Sequence, residues 1–185
     1  MGQLDRRSSL RAVIGEEAYT KTLAICNWMN TITCELQVIP FGDFNMVKTY
    51  KGSCHCGAVQ FECDLDLSAG TTRCNCRFCR KARFWMAFAK GKDAFRLLQG
   101  ADVLTDYQHT PPSKPAPFLH LLFCSRCGVR PFTKGGPLPA LGGEFHAINI
   151  ACLDNATDEE LAQAPIHFAD GRNDDWNTPA ETRYL

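Results

Sequence analysis

A neutral chain of 185 residues, with 20 basic and 20 acidic side chains, lacks the bulk positive charge by which proteins bind nucleic acid or membrane surfaces non-specifically. Its 45% hydrophobic content predicts a packed core, in one domain with room for an appendage. It has eleven cysteines, no apolar secretion segment near Met1 and no run of about 20 apolar residues, which argues against a secreted disulfide scaffold and a membrane span. The expected compartment is a reducing cytoplasm, where clustered thiols read as metal ligands.

Residues 1–45 differ from the rest. Arg6, Arg7 and Arg11 precede Glu16 and Glu17, and an apolar patch follows around Trp28. The periodicity supports only a weak helix over Leu10 to Met29. Cys26 and Cys34 are isolated, with no neighbour at metal spacing. From Met46 the chain leads into a strand, so 1–45 is read as a dispensable extension and 46–185 as the domain that bears the motifs.

From Gly57 the pattern becomes extended. Val59, Phe61 and Cys63 alternate with Ala58, Gln60 and Glu62, the period-2 signature of a half-buried strand. Cys63 falls on the core face and is also the first candidate for a further thiol ligand. Phe84 to Ala89, Phe95 to Leu98 and Val103 to Tyr107 predict three more strands. His109 to Pro117 carries four prolines and predicts an irregular loop. Phe118 to Phe123 predicts a strand ending at Cys124, with His120 free to face the site or solvent. Val129 to Phe132 continues extended, Gly135 to Pro139 predicts a loop, and Phe145 to Leu153 the last clear strand. Thr157 and Glu160 form a capping box opening one short C-terminal helix, which Pro165 stops. Asp170 to Trp176 reads as a surface turn or a lid over a pocket. Many short strands with Gly/Pro loops and one helix predict a mainly β fold.

Seven of the cysteines fall in three tight groups: Cys54 and Cys56; Cys74, Cys76 and Cys79; Cys124 and Cys127. A Cys-x-Cys or Cys-x-x-Cys pair places two sulfurs on one metal through a tight turn, and structural zinc takes four ligands. Gly57 and Gly128 each directly follow a pair, as such a turn requires. Cys54, Cys56, Cys124 and Cys127 can therefore close one site across two strands. Cys74, Cys76 and Cys79 can share a second metal, giving about two zinc ions per chain. If Cys63 or His55 supplies the fourth ligand, both sites are structural. If water does, the second site is open, the catalytic arrangement. A thioredoxin-like dithiol at Cys76/Cys79 or Cys124/Cys127 would need a βαβ context that is missing.

Arg73, Arg77, Arg80, Lys81 and Arg83 crowd the second group, with no acidic residue between them. They read as a solvated turn offsetting thiolate charge, as a grip for the carboxylates of a small anionic thiol, or, against the neutral charge of the whole, as a zinc-knuckle-like nucleic-acid surface. Arg77 and Arg80 are the substrate-binding candidates.

The blocks Gly52-Ser53-Cys54-His55-Cys56-Gly57, Cys74-Asn75-Cys76-Arg77-Phe78-Cys79-Arg80-Lys81 and Phe123-Cys124-Ser125-Arg126-Cys127-Gly128 resemble the glutathione-dependent formaldehyde-activating enzyme family, which includes the centromere protein V group. The resemblance covers about Met46 to Leu185. It implies a β-tent fold. It implies structural zinc on Cys54, Cys56, Cys124 and Cys127, and catalytic zinc on Cys74, Cys76 and Cys79. The implied activity is a carbon–sulfur lyase's, condensing glutathione with formaldehyde to S-hydroxymethylglutathione. The alternative is a non-catalytic binding module with two structural zinc sites.

Overall fold

Along β1 (Lys48–Ser53) and β2 (Gln60–Leu65) the apolar-polar alternation becomes alternating burial, and the two strands pair antiparallel from Lys48↔Leu65 to Ser53↔Gln60. β2 also pairs with β5 (Phe95–Gln99), completing a three-stranded sheet. This computed structural model describes residues 46–185 apart from 112, 115 and 180. The expected extension over 1–45, its weak helix, Cys26 and Cys34 lie outside the described residues.

A second sheet holds seven strands in the order β10-β3-β4-β9-β8-β7-β6. They are β3 (Thr71–Cys74), β4 (Trp85–Lys90), β6 (Leu104–His109), β7 (Leu119–Cys124), β8 (Phe132–Leu138), β9 (Gly143–Asn149) and β10 (Ile166–Ala169). Every neighbouring pair is antiparallel except β3 and β10. Neither sheet closes on itself. Their inner faces meet in one core, where Phe61 of β2 packs on Phe132 of β8 at 5.5 Å between ring centroids and Phe95 of β5 lies 4.6 Å from Phe132. Burying side chains of this size contributes roughly 1.5–3 kcal/mol each. The fold is mainly β, as the sequence predicts.

Four local expectations need correction. There are two α-helices among the described residues, because α1 (Arg77–Ala82) precedes the capping-box helix α2 (Asp158–Gln163). α1 escapes a periodicity reading because it is six residues long and buries none of them. Gly135 to Leu138 lies inside β8 rather than in a loop, since β7 and β9 supply its backbone partners; a register shift between Gly135 and Leu138 absorbs the irregular residues. His109 ends β6, opposite Leu119, instead of opening the loop. The last predicted strand stops at Asn149, and Cys152 belongs to a 3-10 turn. The capping box is present as expected, with the Glu160 amide donating to the Thr157 hydroxyl at 3.1 Å and the Thr157 amide donating to the Glu160 carboxylate at 2.8 Å. No helix among the described residues is long and apolar enough to cross a membrane.

Candidate metal centres

The first centre joins the two sheets. Cys54 and Cys56 sit in the β1–β2 turn, Cys124 and Cys127 at the end of β7 and in the turn beyond it. Each turn is closed by a glycine amide: Gly57 donates to the Cys54 carbonyl at 2.9 Å and Gly128 to the Cys124 carbonyl at 2.8 Å. Both glycines have positive φ, 72° and 74°, which a side chain would resist. The four sulfurs lie within 4.8 Å of one another. Cys54 and Cys56 Sγ are 3.6 Å apart, and Cys56 and Cys124 Sγ are 3.7 Å apart. A tetrahedron with Zn–S bonds of about 2.3 Å has edges of about 3.8 Å. The donor set is compatible with zinc. Amides also reach the sulfurs. The Val59 amide donates to Cys54 Sγ at 3.3 Å. The amides of Val129 and then Cys56 bring the Cys127 thiol down to about 6.

The second centre is the three-cysteine cluster, whose sulfurs also lie within 4.8 Å of one another. Cys74 ends β3, Cys76 caps the N-terminus of α1 and Cys79 lies within it. The Cys76 amide donates to Cys74 Sγ and the Cys79 amide to Cys76 Sγ, each at 3.3 Å. The thiols of Cys74 and Cys79, then the amides of Cys79 and Phe78, hold the Cys76 thiol well below the usual thiol range despite burial. Its neighbouring sulfurs and burial push Cys79 up. Among the described His, Cys, Asp and Glu residues, none adds a fourth ligand atom to this cluster. Cys63 is fully buried in the main core, where desolvation pushes its thiol up to about 12, and His55 is exposed beside the other centre.

The predicted arginines separate. Arg80 lines a cavity of about 140 Å³ together with Arg73, Cys74, Cys79, Arg83, Phe84 and Leu185. Arg77 is exposed and outside that lining. His120 Nδ1 lies 2.7 Å from Asp106 Oδ2.

Two features escape a reading of the sequence. The first is Arg130, whose guanidinium lies 3.6 Å from the Phe84 ring centroid and 4.3 Å from that of Phe78. Its Nε and Nη2 are buried without a hydrogen-bond partner. Burial pushes it down to about 10, against the charges of Cys79 and Cys76, so it remains a cation at neutral pH. The only hint in the sequence is an arginine between Val129 and Pro131, inside an apolar stretch. The second is what the 170–175 turn touches, since the sequence predicts it only as a surface turn or a lid. Asn75, only 4% exposed, donates to Asp170 Oδ1 at 2.6 Å and accepts from the Arg172 amide at 2.9 Å. This draws Gly171 so close that a Cβ there would lie 2.5 Å from Cys74 Sγ. Gly171→Ala is thus expected to lower metal content by displacing Cys74, while far-UV circular dichroism stays unchanged. Full metal occupancy in that variant would show that the turn yields instead.

The described residues thus bring together a four-sulfur cluster held by two glycine-closed turns and a three-sulfur cluster beside an arginine-lined cavity. A crystal structure of a Rhodobacter sphaeroides protein is similar to it, at 31% sequence identity and a TM-score of 0.50, covering 63% of this chain and 98% of that one. Residues 49–169 match the family described as glutathione-dependent formaldehyde-activating enzyme. That match takes in all seven clustered cysteines, and the chain belongs to the glutathione-dependent formaldehyde-activating enzyme family.

Proposed function

We propose that the chain is a zinc-dependent carbon–sulfur lyase-type enzyme that joins a small peptide thiol, such as glutathione, to an aldehyde such as formaldehyde. The observation that carries this reading is the asymmetry of the two centres. Four cysteines bring four sulfurs within 4.8 Å of one another, whereas the three-cysteine cluster has no fourth ligand among the described residues and lies on the wall of an arginine-lined cavity. Zinc bound by Cys74, Cys76 and Cys79 would supply the positive charge that lets an incoming thiol lose its proton near neutral pH.

The chain's own residues account for the rest. Arg80 on the cavity wall offers a guanidinium to a substrate carboxylate. Arg130 offsets the negative charge of the sulfurs, so that a second anion can approach. Phe84 and Phe78 cover the guanidinium and keep water from it. In the reaction the thiol sulfur bonds to the aldehyde carbon, the C=O π bond breaks, and the carbonyl oxygen takes the proton the thiol gave up. Nothing is oxidised or reduced. Residues 46–185 suffice for this chemistry in our reading, with 1–45 an extension, and the protein works in the cytoplasm.

Cobalt substitution tests the proposal. Addition of glutathione to the cobalt-loaded protein should change the thiolate charge-transfer bands, because a fourth sulfur joins the cluster. Unchanged bands would favour a binding module with two structural centres. Arg80→Ala should weaken glutathione roughly ten- to a hundred-fold, the loss of a charge-assisted hydrogen bond. It should leave metal content and the binding of a small neutral thiol unaltered in titration calorimetry. Arg77→Ala should have the smaller effect, because Arg77 is outside the cavity lining.

A further inference from the structure

A second cavity, of about 240 Å³, lies between α1 and strands β6 and β7. Its wall includes Phe78 and Ala82 of α1, Tyr107 of β6, Leu121 and Phe123 of β7, and Arg130. Phe78 and Ala82 are four residues apart and so share one face of the helix. Cys79 and Arg80 of the same helix line the cavity beside the three-cysteine cluster. One six-residue helix thus has a wall in each cavity. The Phe78 ring stacks on that of Tyr107, with centroids 5.9 Å apart and planes 17° apart, which ties the helix to β6. Arg130 links the two spaces. Its guanidinium packs against Phe78, on the wall of this cavity, and against Phe84, on the wall of the other. Its charge also faces those of Cys79 and Cys76.

The cavity is apolar apart from that cation, and polar groups beside it lack partners among the described residues. They are Nε and Nη2 of Arg130 and the hydroxyl of Thr133, which is 4% exposed. Thr133 stands opposite Leu121, and Leu121 opposite Tyr107, so the three share one face of the sheet. Buried polar groups are rarely left unpartnered without a functional reason. A cavity of about 150 Å³ is enough for benzene, so a phenyl ring or a branched alkyl group fits here. Of the two reactants, glutathione is a charged peptide with no ring or alkyl side chain to place there, and formaldehyde has no substituent at all. We propose that this cavity takes the organic substituent of the aldehyde, an aryl or branched alkyl group, and that Arg130 faces the aldehyde oxygen. This rests on the thiol–aldehyde reading above and deepens it by naming a substrate class, apolar aldehydes larger than formaldehyde. As the thiolate sulfur bonds to the aldehyde carbon, the C=O π pair moves to the oxygen, which is negative until it takes the proton that the thiol gave up. Arg130 keeps its own protons and stabilises that charge. Nothing is oxidised or reduced.

The test uses the full chain, zinc-loaded, with 4-fluorophenylacetamide as an unreactive analogue of such an aldehyde, followed by fluorine NMR. The amide should bind with no thiol present. Ala82→Trp, at the exposed end of α1, fills the cavity and should weaken it about tenfold. Tyr107→Ser, at a position 53% exposed, removes a wall without adding bulk and should weaken it as well. Arg130→Met should weaken the amide about tenfold but not 4-fluorotoluene, which has no carbonyl. If the amide fails to bind, or binds the Ala82 and Tyr107 variants as well as the unaltered chain, the site is refuted. Equal weakening of the amide and 4-fluorotoluene refutes the role of Arg130. Fluorine exchange spectroscopy then follows 4-fluorophenylacetaldehyde into its glutathione adduct. The chain should speed that exchange above the uncatalysed rate, and Ala82→Trp should lose the acceleration. If formaldehyde alone is accelerated, the cavity does not serve the aldehyde and the thiol–aldehyde reading stands. If the amide binds while neither aldehyde is accelerated, the thiol–aldehyde reading falls, and the assignment of the cavity to an aldehyde falls with it.

Discussion

Cys124→Ser is expected to cost the protein its fold, whereas Cys76→Ser is expected to cost it one metal and its activity. Cys124 is fully buried, and its sulfur lies 3.7 Å from that of Cys56, 68 residues earlier. Their centre ties the three-stranded sheet to the seven-stranded one. Structural zinc contributes apparent folding free energies of about 10–16 kcal/mol in small domains, which rivals the whole stability of a typical domain, about 5–15 kcal/mol. Cys74, Cys76 and Cys79 span six positions at one end of the larger sheet, so their metal closes no long loop. Elemental analysis should find about two zinc ions in the unaltered chain, as two tetrahedral sites require, and about one in Cys76→Ser. Thermal unfolding should remain cooperative and shift only a few degrees in Cys76→Ser. It should lose cooperativity in Cys124→Ser. Equal destabilisation by both substitutions would mean that both centres are structural and would return the chain to the binding-module reading.

Arg130→Met should reduce glutathione binding and turnover roughly ten- to a hundred-fold, as expected when a partly buried charge partner is removed at about 1.5–3 kcal/mol. Methionine keeps much of the apolar stem, so the loss is mainly of charge. The guanidinium faces the anionic sulfurs from between two aromatic rings, and its absence leaves an incoming thiolate to meet uncompensated negative charge. Arg130→Lys should rescue only in part, because an ammonium lacks the planar face that stacks on Phe78 and Phe84. Unfolding temperature and the metal of the four-cysteine centre should be unaffected. Glutathione binding to Arg130→Met at the unaltered strength would reduce Arg130 to a packing residue.

Local chemistry determined a good part of this protein. Cysteine pairs two or three residues apart, each followed by glycine, can place two sulfurs on one metal through a tight turn. The positive φ of Gly57 and Gly128 follows from the same tight geometry. Alternation marked β2 because its inner face had to be apolar, and the Thr157 and Glu160 pair marked α2 because capping needs only residues three apart.

What the tertiary structure alone decided lies between distant segments. α1 buries no residue and so carries no stripe to read; the turn and the cap at Cys76 position it. β10 pairs with β3 across more than ninety residues, and this parallel ladder brings Asp170 and Gly171 against Asn75 and Cys74. Gly135 to Leu138 looks like a loop until β7 and β9 provide partners for its backbone. Arg130 gains its meaning only when the segment leading into β8 carries it against Phe78 and Phe84. In each case a long-range contact decides what a side chain does. Spacing along the chain records which residues can share a turn, but not which distant residues burial will bring to face them.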